Sequence, residues 1–262
     1  MKKSVTVITP TTGSPKLTDA LISVAKQKSN LDITHLIVGD GPEYMSKVSQ
    51  LILRSHKNNE IDLDSVRMVF TPINTGANGF NGQRIYAAYP HLVNTDYVAF
   101  LDQDNWYAEN HVQTLVDTTE ENNLDWSYSL RDIYSEDRQF LISDHCESLG
   151  AWPIFFTYNT ESPQFLIDTS CFLFKRGFIQ KTAHLWHSGA WGEDRRYLQA
   201  VRQLSNWRTT GLSTLCYRLN GNPNSVNVDL FIQGNNFYQT VYGHSNNFPW
   251  VKKNDRFLQS II

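Results

Sequence analysis

Over the first 120 residues, hydrophobic positions fall in short continuous runs, and each run is followed by a segment whose apolar residues recur every three or four positions. The runs "SVTVIT" (4–9), "ITHLIVGD" (33–40), "VRMVF" (66–70) and "YVAFL" (97–101) are β-branched or aromatic and too short for helices, as buried strands are. Between them Leu17, Ala20, Leu21 and Val24 share a helical face, with Ser14 and Pro15 suited to a helix N-cap and first position. Further helices are expected over 44–56, where Val48, Leu51 and Ile52 align, over 81–91 and over 107–121. Strands alternating with helices predict right-handed crossovers and a mainly parallel sheet, an α/β fold.

In such sheets ligands bind beyond the carboxyl ends of the strands. Those ends hold "PTTG" after the first strand, "GDGP" after the second, the Gly- and Asn-dense "TPINTGANGFNG" after the third and "DQDN" after the fourth. Loops of unusual composition therefore gather on one edge. The second half is less regular. "DWSYSL" (125–130) and "SCFLFK" (170–175) read as strands, and "EDRRYLQAVRQL" (193–204) reads as a helix beginning after Gly192. Residues 143–165, rich in Ser, Pro and aromatics, are expected to loop over the site. The tail from about 219 carries many Asn and Gly residues, and no repeat, heptad or linker divides the chain.

Composition narrows the class. The chain is 40% hydrophobic and 19% charged, which is globular rather than disordered. Its 23 Lys and Arg against 26 Asp and Glu leave a net charge of −3, which argues against a partner held by phosphate contacts, such as nucleic acid. Cys146, Cys171 and Cys216 are widely spaced and lack metal-ligand spacing, so a reduced, cytoplasmic setting is expected. The N-terminus reads as a first strand rather than a signal peptide. No stretch approaches the roughly 18 apolar residues of a membrane helix, so any membrane contact is expected to be peripheral or through a lipid-linked substrate.

The chemistry centres on Asp102 and Asp104. On an extended backbone they face one side, with Gln103 facing away. Two such carboxylates repel unless a cation or hydrogen-bond donors accompany them. Mg2+ or Mn2+ suits all-oxygen ligands and is completed by substrate phosphates. A solvated turn explains the pair as well. Asp40 in "GDGP" is likewise an ordinary turn residue taken alone, and Glu193 with Asp194 would favour any helix N-terminus.

Taken in order, "VTVITPTTGSPKLTDALISVAKQ", "HLIVGDGPE", "YVAFLDQDNWYAENHV" and "WGEDRRYLQAV" resemble the family 2 glycosyltransferases of the GT-A fold, over roughly residues 4–218. The resemblance implies a Rossmann-like central sheet flanked by helices, with a smaller mixed sheet on the acceptor side. A catalytic domain would span 1–218, with a nucleotide-binding half over about 1–105 and an acceptor half over 106–218. Residues 219–262 would form an extension packed on it. Thr9, Pro10, Thr11, Asp40, Arg84, Asp102 and Gln103 would line the donor nucleotide site, Asp40 meeting the base and Arg84 a phosphate. Asp104 would ligate Mn2+ or Mg2+ directly, and Asp102 would hold the ribose or a metal-bound water.

Asp194 would be the general base of an inverting transfer and Glu193 its support, although His184 or His187 nearby also has a suitable pKa. Trp191 would stack on a sugar. Arg218 would meet the diphosphate. Where family members place a His in this segment the chain has Asn220, so His244 would supply a third metal ligand. The implied partners are a nucleotide-diphosphate sugar, with UDP or another pyrimidine favoured, and a glycan or lipid-linked acceptor. Two other readings share the nucleotide-binding half: a sugar nucleotidyltransferase, disfavoured because "PTTGSPK" has one Gly and no Arg, and a binding module without turnover. A D-x-D-x-T phosphatase is disfavoured by Trp106 at the Thr position and by the depth of the pair in the chain.

Overall fold

The structure is a computed structural model that describes residues 2–186, 192–219 and 226–251. Helix α1 (Leu17–Ala25) follows strand β1 (Ser4–Thr11), and α2 (Met45–Lys57) follows β2 (Asp32–Gly39). Strand β3 (Val66–Phe70), α3 (Gln83–Ala88) and β4 (Tyr97–Phe100) complete the alternation. Ser14 Oγ accepts from Lys16 N at 3.3 Å, so the serine caps the turn that leads into α1. β1 pairs in parallel with both β2 and β4, and β2 with β3. The expected parallel core is present, with β1 and β4 buried along nearly their whole length. β3 departs from expectation: it is an edge strand, largely exposed.

The chain then turns the sheet mixed. Residues 107–121 are not one helix. Strand β5 (Trp106–Tyr107) comes first, and α4 covers only His111–Glu121. Strands β6 (Trp126–Tyr134), β7 (Phe140–Ser143) and β8 (Phe172–Lys175) follow, then α5 (Arg176–Thr182), α6 (Glu193–Val201) and β9 (Trp207–Arg218). Among the described residues the nine strands form one sheet in the order β3-β2-β1-β4-β8-β6-β9-β5, with β7 against β6. β8 is antiparallel to both β4 and β6, and so joins the parallel core to the mixed part. The sheet is thus continuous across the expected division near residue 105.

In the tail, α7 (Val228–Tyr242) packs against the segment after β7. Asn235 bonds His145 N at 3.0 Å and the Ser143 carbonyl at 2.7 Å. Gly234 passes so close to Cys146 and Phe155 that a Cβ there would collide with both. No described helix is long and apolar enough to cross a membrane.

Candidate active site

The carboxyl ends of β1, β2 and β4 open into a cavity of about 520 Å3, which the start of α6 also lines. Pro10, Thr11, Asp40, Asp102, Gln103, Asp104, Glu193 and Asp194 all line it. Four segments far apart in the chain thus meet as the edge rule requires.

The turn after β4 differs from the extended run expected of it. β4 ends at Phe100, and Asn105 N bonds the Asp102 carbonyl at 3.2 Å, which closes a turn over 102–105. The turn, not strand alternation, brings both aspartates to the cavity. Gln103 does not face away. Its Oε1 accepts from Thr11 Oγ1 at 2.7 Å, Ser14 N at 3.2 Å and Thr12 N at 3.3 Å, and so clasps the loop after β1.

Asp102 is held on both oxygens. Tyr86 Oη donates to Oδ1 at 2.6 Å and Ser170 Oγ to Oδ2 at 3.3 Å, while Asp102 N donates to Ser170 Oγ at 3.0 Å. Burial, then the charges of Asp168 and Asp104, push the Asp102 pKa up to about 7. Asp104 is raised too, chiefly by burial, with Lys16 and Arg218 opposing. Among the described residues no other side chain bonds the Asp104 carboxylate.

A divalent cation suits this donor set. The ligands are all oxygen, no described side chain bonds the Asp104 carboxylate, and both carboxylates are lifted chiefly by burial, which a bound cation would offset. Among the described residues no three His, Cys, Asp or Glu side chains are grouped to hold an ion by themselves. Phosphate and water oxygens would have to complete the shell, as is usual for Mg2+.

Asp40 also differs in detail from expectation. Its Oδ1 accepts from Thr75 N (2.8 Å), Thr75 Oγ1 (2.7 Å) and Thr71 Oγ1 (3.2 Å), and Oδ2 from Gly76 N (2.7 Å). A carboxylate has about four acceptor directions, so Asp40 is spent on ordering the loop after β3. Gly76 is required there, because a Cβ would strike the Asn81 carbonyl and come within 2.7 Å of Asp40.

Other expected residues lie elsewhere. Thr9 is fully buried with its hydroxyl 2.9 Å from His35 Nε2, one strand layer beneath the cavity. Arg84 lies 3.5 Å over the Phe80 ring and donates to the Thr75 carbonyl at 3.1 Å, so it braces the loop rather than lining the cavity. Arg218 is buried and ion-paired with Asp19, its guanidinium 5.0 Å from the Trp106 ring. His244 is exposed at the start of a single turn, Ser245–Asn247, away from the aspartates. The structure does not bring it to them as a third ligand. Trp191, His187 and Asn220 lie outside the described residues.

Gly192 takes the left-handed conformation (φ 82°) and starts α6. Glu193 is buried and ion-paired with Arg196 at 3.1 Å. Asp194 Oδ1 accepts from Arg195 N at 2.8 Å. Burial, reinforced by Asp168, pushes the Asp194 pKa up to about 7.

Three charged lining residues belong to no sequence motif: Arg131, Glu147 and Asp168. Arg131 projects from β6, buried, and binds Asp144 (2.8 Å), Glu147 (2.5 Å) and Asp168 (2.7 Å). Asp168 Oδ1 also accepts from Ser170 N at 2.9 Å, which sets the turn that carries the Ser170 hydroxyl to Asp102. Burial would raise Asp144, yet Arg131 and the N–H groups of Cys146 and Ser148 bring it below the usual carboxylate range. This network pins the 144–168 segment over the cavity. The sequence signal for Asp168 was slight: an Asp two residues before Ser170, ahead of the apolar run of β8.

The family model described as "Glycosyl transferase family 2" matches residues 6–182. No curated protein matches the chain. Among solved structures, that of S. aureus TarS 1–349 in complex with UDP-GlcNAc is similar at 13% identity and TM-score 0.56, covering 99% of this chain and 71% of that one. The complex with UDP gives the same score and identity, covering 99% and 70%. A further structure of TarS 1–349 has TM-score 0.54 and 13% identity, covering 83% of this chain and 60% of the other. The chain thus spans only three-fifths of that relative, and at such identity the likeness bears on the fold.

Proposed function

The chain belongs to glycosyltransferase family 2 and has the GT-A fold, and on that premise we propose that it moves a sugar from a nucleotide-diphosphate donor, UDP-linked by preference, to an acceptor hydroxyl with inversion. One observation supports this most. The turn that carries Asp102 and Asp104 and the helix start that carries Asp194, far apart in the chain, line one cavity. In this reading the diphosphate would leave on the side of Asp104, and Asp194 would meet the acceptor on the other side of the reacting carbon.

The nucleoside would lie against Pro10, Thr11 and the loop that Asp40 orders, so Asp40 acts on the base by holding Thr75 and Gly76 in place. Asp104, with Asp102 fixed behind it, would hold Mn2+ or Mg2+. When bound, the ion neutralises charge developing on the diphosphate. Asp194 would take the acceptor proton as the hydroxyl oxygen bonds to the anomeric carbon and the bond to the diphosphate oxygen breaks. A carboxylate pushed up to about 7 is a better match to that task at neutral pH than an ordinary one. Residues 1–218 would form the catalytic domain, with 219–262 supporting the acceptor side through α7. The acceptor would be a glycan or lipid-linked hydroxyl.

The test is a panel of nucleotide sugars assayed for nucleotide release with Mn2+, with Mg2+ and with chelator. Release from one donor that stops on chelation is expected. Full activity in chelator would overturn the metal assignment.

A further inference from the structure

We propose that the sugar subsite of this cavity takes an uncharged sugar and rejects donors whose sugar carries a carboxylate. The proposal rests on the donor reading above and adds the class of sugar.

Among the described residues, the lining beyond the metal aspartates is short of positive charge. It offers Glu147, Asp168, Glu193 and Asp194 against two guanidinium groups, Arg131 and Arg195. Neither cation is available to a ligand carboxylate. Every nitrogen of Arg131 is engaged: Nε by Asp144 at 2.8 Å, Nη1 by Asp168 at 2.7 Å and Nη2 by Glu147 at 2.5 Å. That buried cation is already outnumbered by three anions. Arg195 Nη1 donates to Gln164 Oε1 at 2.8 Å, and its Nη2 lies 3.7 Å from Glu147. Glu193 is matched by Arg196, while Asp194, which also lines the cavity, has among the described residues only the Arg195 N–H on its carboxylate.

Hydroxyl groups meet such a surface favourably, because ionised carboxylates only accept and a sugar hydroxyl can donate. A uronate would bring an anion into a buried space with surplus negative charge, where like-charge contact is expensive and poorly screened. The bound metal ion does not relieve this, since its charge is matched by Asp102, Asp104 and the diphosphate.

UDP-glucose and UDP-glucuronate differ only at C6, which is CH2OH in one and a carboxylate in the other. Binding of UDP, of this pair, and of UDP-N-acetylglucosamine with its uronate would be measured calorimetrically on the intact protein with Mn2+. Each uronate is expected to bind at least about 100-fold more weakly than its neutral counterpart, and more weakly than UDP itself. A uronate that binds as tightly as its counterpart overturns the proposal and leaves the donor reading standing. If UDP itself does not bind, the donor reading falls and the proposal with it. In Asp168→Asn and Glu147→Gln, the neutral-to-uronate ratio is expected to narrow by about tenfold. Two folded variants with the parent ratio would show that charge is not what selects.

Discussion

Tyr86 on α3 donates its hydroxyl to Asp102 Oδ1 at 2.6 Å, so the helix before β4 fixes the first aspartate of the turn after it. The second, Asp104, has no such tether among the described residues. Their roles are therefore expected to separate on mutation. Asp104→Asn should lose Mn2+ binding in the presence of UDP, read by electron paramagnetic resonance, and with it metal-dependent transfer. Tyr86→Phe should keep both but weaken ion or donor affinity by about tenfold, the scale of one lost hydrogen bond to a charged group. Parent-like Mn2+ binding by Asp104→Asn would count against Asp104 as ligand.

Asp194→Asn is expected to bind donor as the parent does while kcat falls by about 10²–10⁴, the range for loss of a general base. In the parent, transfer should rise with pH through about 7 as Asp194 ionises. A variant that turns over at the parent rate would remove Asp194 from the mechanism.

Asp194 also makes a prediction about stability in the absence of metal and donor. Its pKa is about 7 in the fold and about 3.9 in an unfolded chain. Between those values the folded state holds a proton that the unfolded state releases, so this group's contribution to stability increases as pH falls from about 7 towards about 4. Asp194→Asn should therefore be more stable than the parent at pH 8, and the difference should shrink by pH 5. Denaturant midpoints of the two proteins at both pH values check the sign.

Arg131 is a structural keystone whose removal leaves three carboxylates facing one another in a buried space. Arg131→Met is expected to cost about 3–5 kcal/mol, as breaking buried ion pairs does. Chemical unfolding measures it. A loss under about 1 kcal/mol would mean the 144–168 segment is held by other contacts.

What could be read from the sequence follows burial. β1, β2 and β4 lie in the parallel core, so their residues form continuous apolar runs that need no tertiary context. Asp40, Asp102 and Asp104 stand out because they end such runs. β9 was missed because "WRTTGLSTLCYR" mixes Thr, Ser and Gly, and its pairing with β6 shifts register near Leu130. α7 was hidden by Gly234 and Asn235, which look like loop residues but serve a close approach to Cys146 and two bonds to the segment after β7. Asp168 and Arg131 could not be placed in the cavity from local pattern, since only the sheet order brings β8 beside β4 and β6 beside β8. Arg84 and Arg218 were assigned to phosphate by type, whereas the fold gives each a nearer partner in Phe80 or Asp19.

The antiparallel pairing of Trp106 with Cys216 carries a consequence for how the protein comes into being. Asn105, next to Asp104, receives the Arg218 N–H at 3.1 Å and is buried by that docking. During synthesis β1 to β4 can pair as they leave the ribosome, but the turn that bears Asp104, already clasped through Gln103, gains its Asn105 anchor only when β9 arrives. Pairings so distant in sequence form slowly. The young chain therefore passes through a stage in which its nucleotide-facing core is assembled while the ion-binding turn is only partly tied, and the turn is secured on both sides only with the last strand of the sheet.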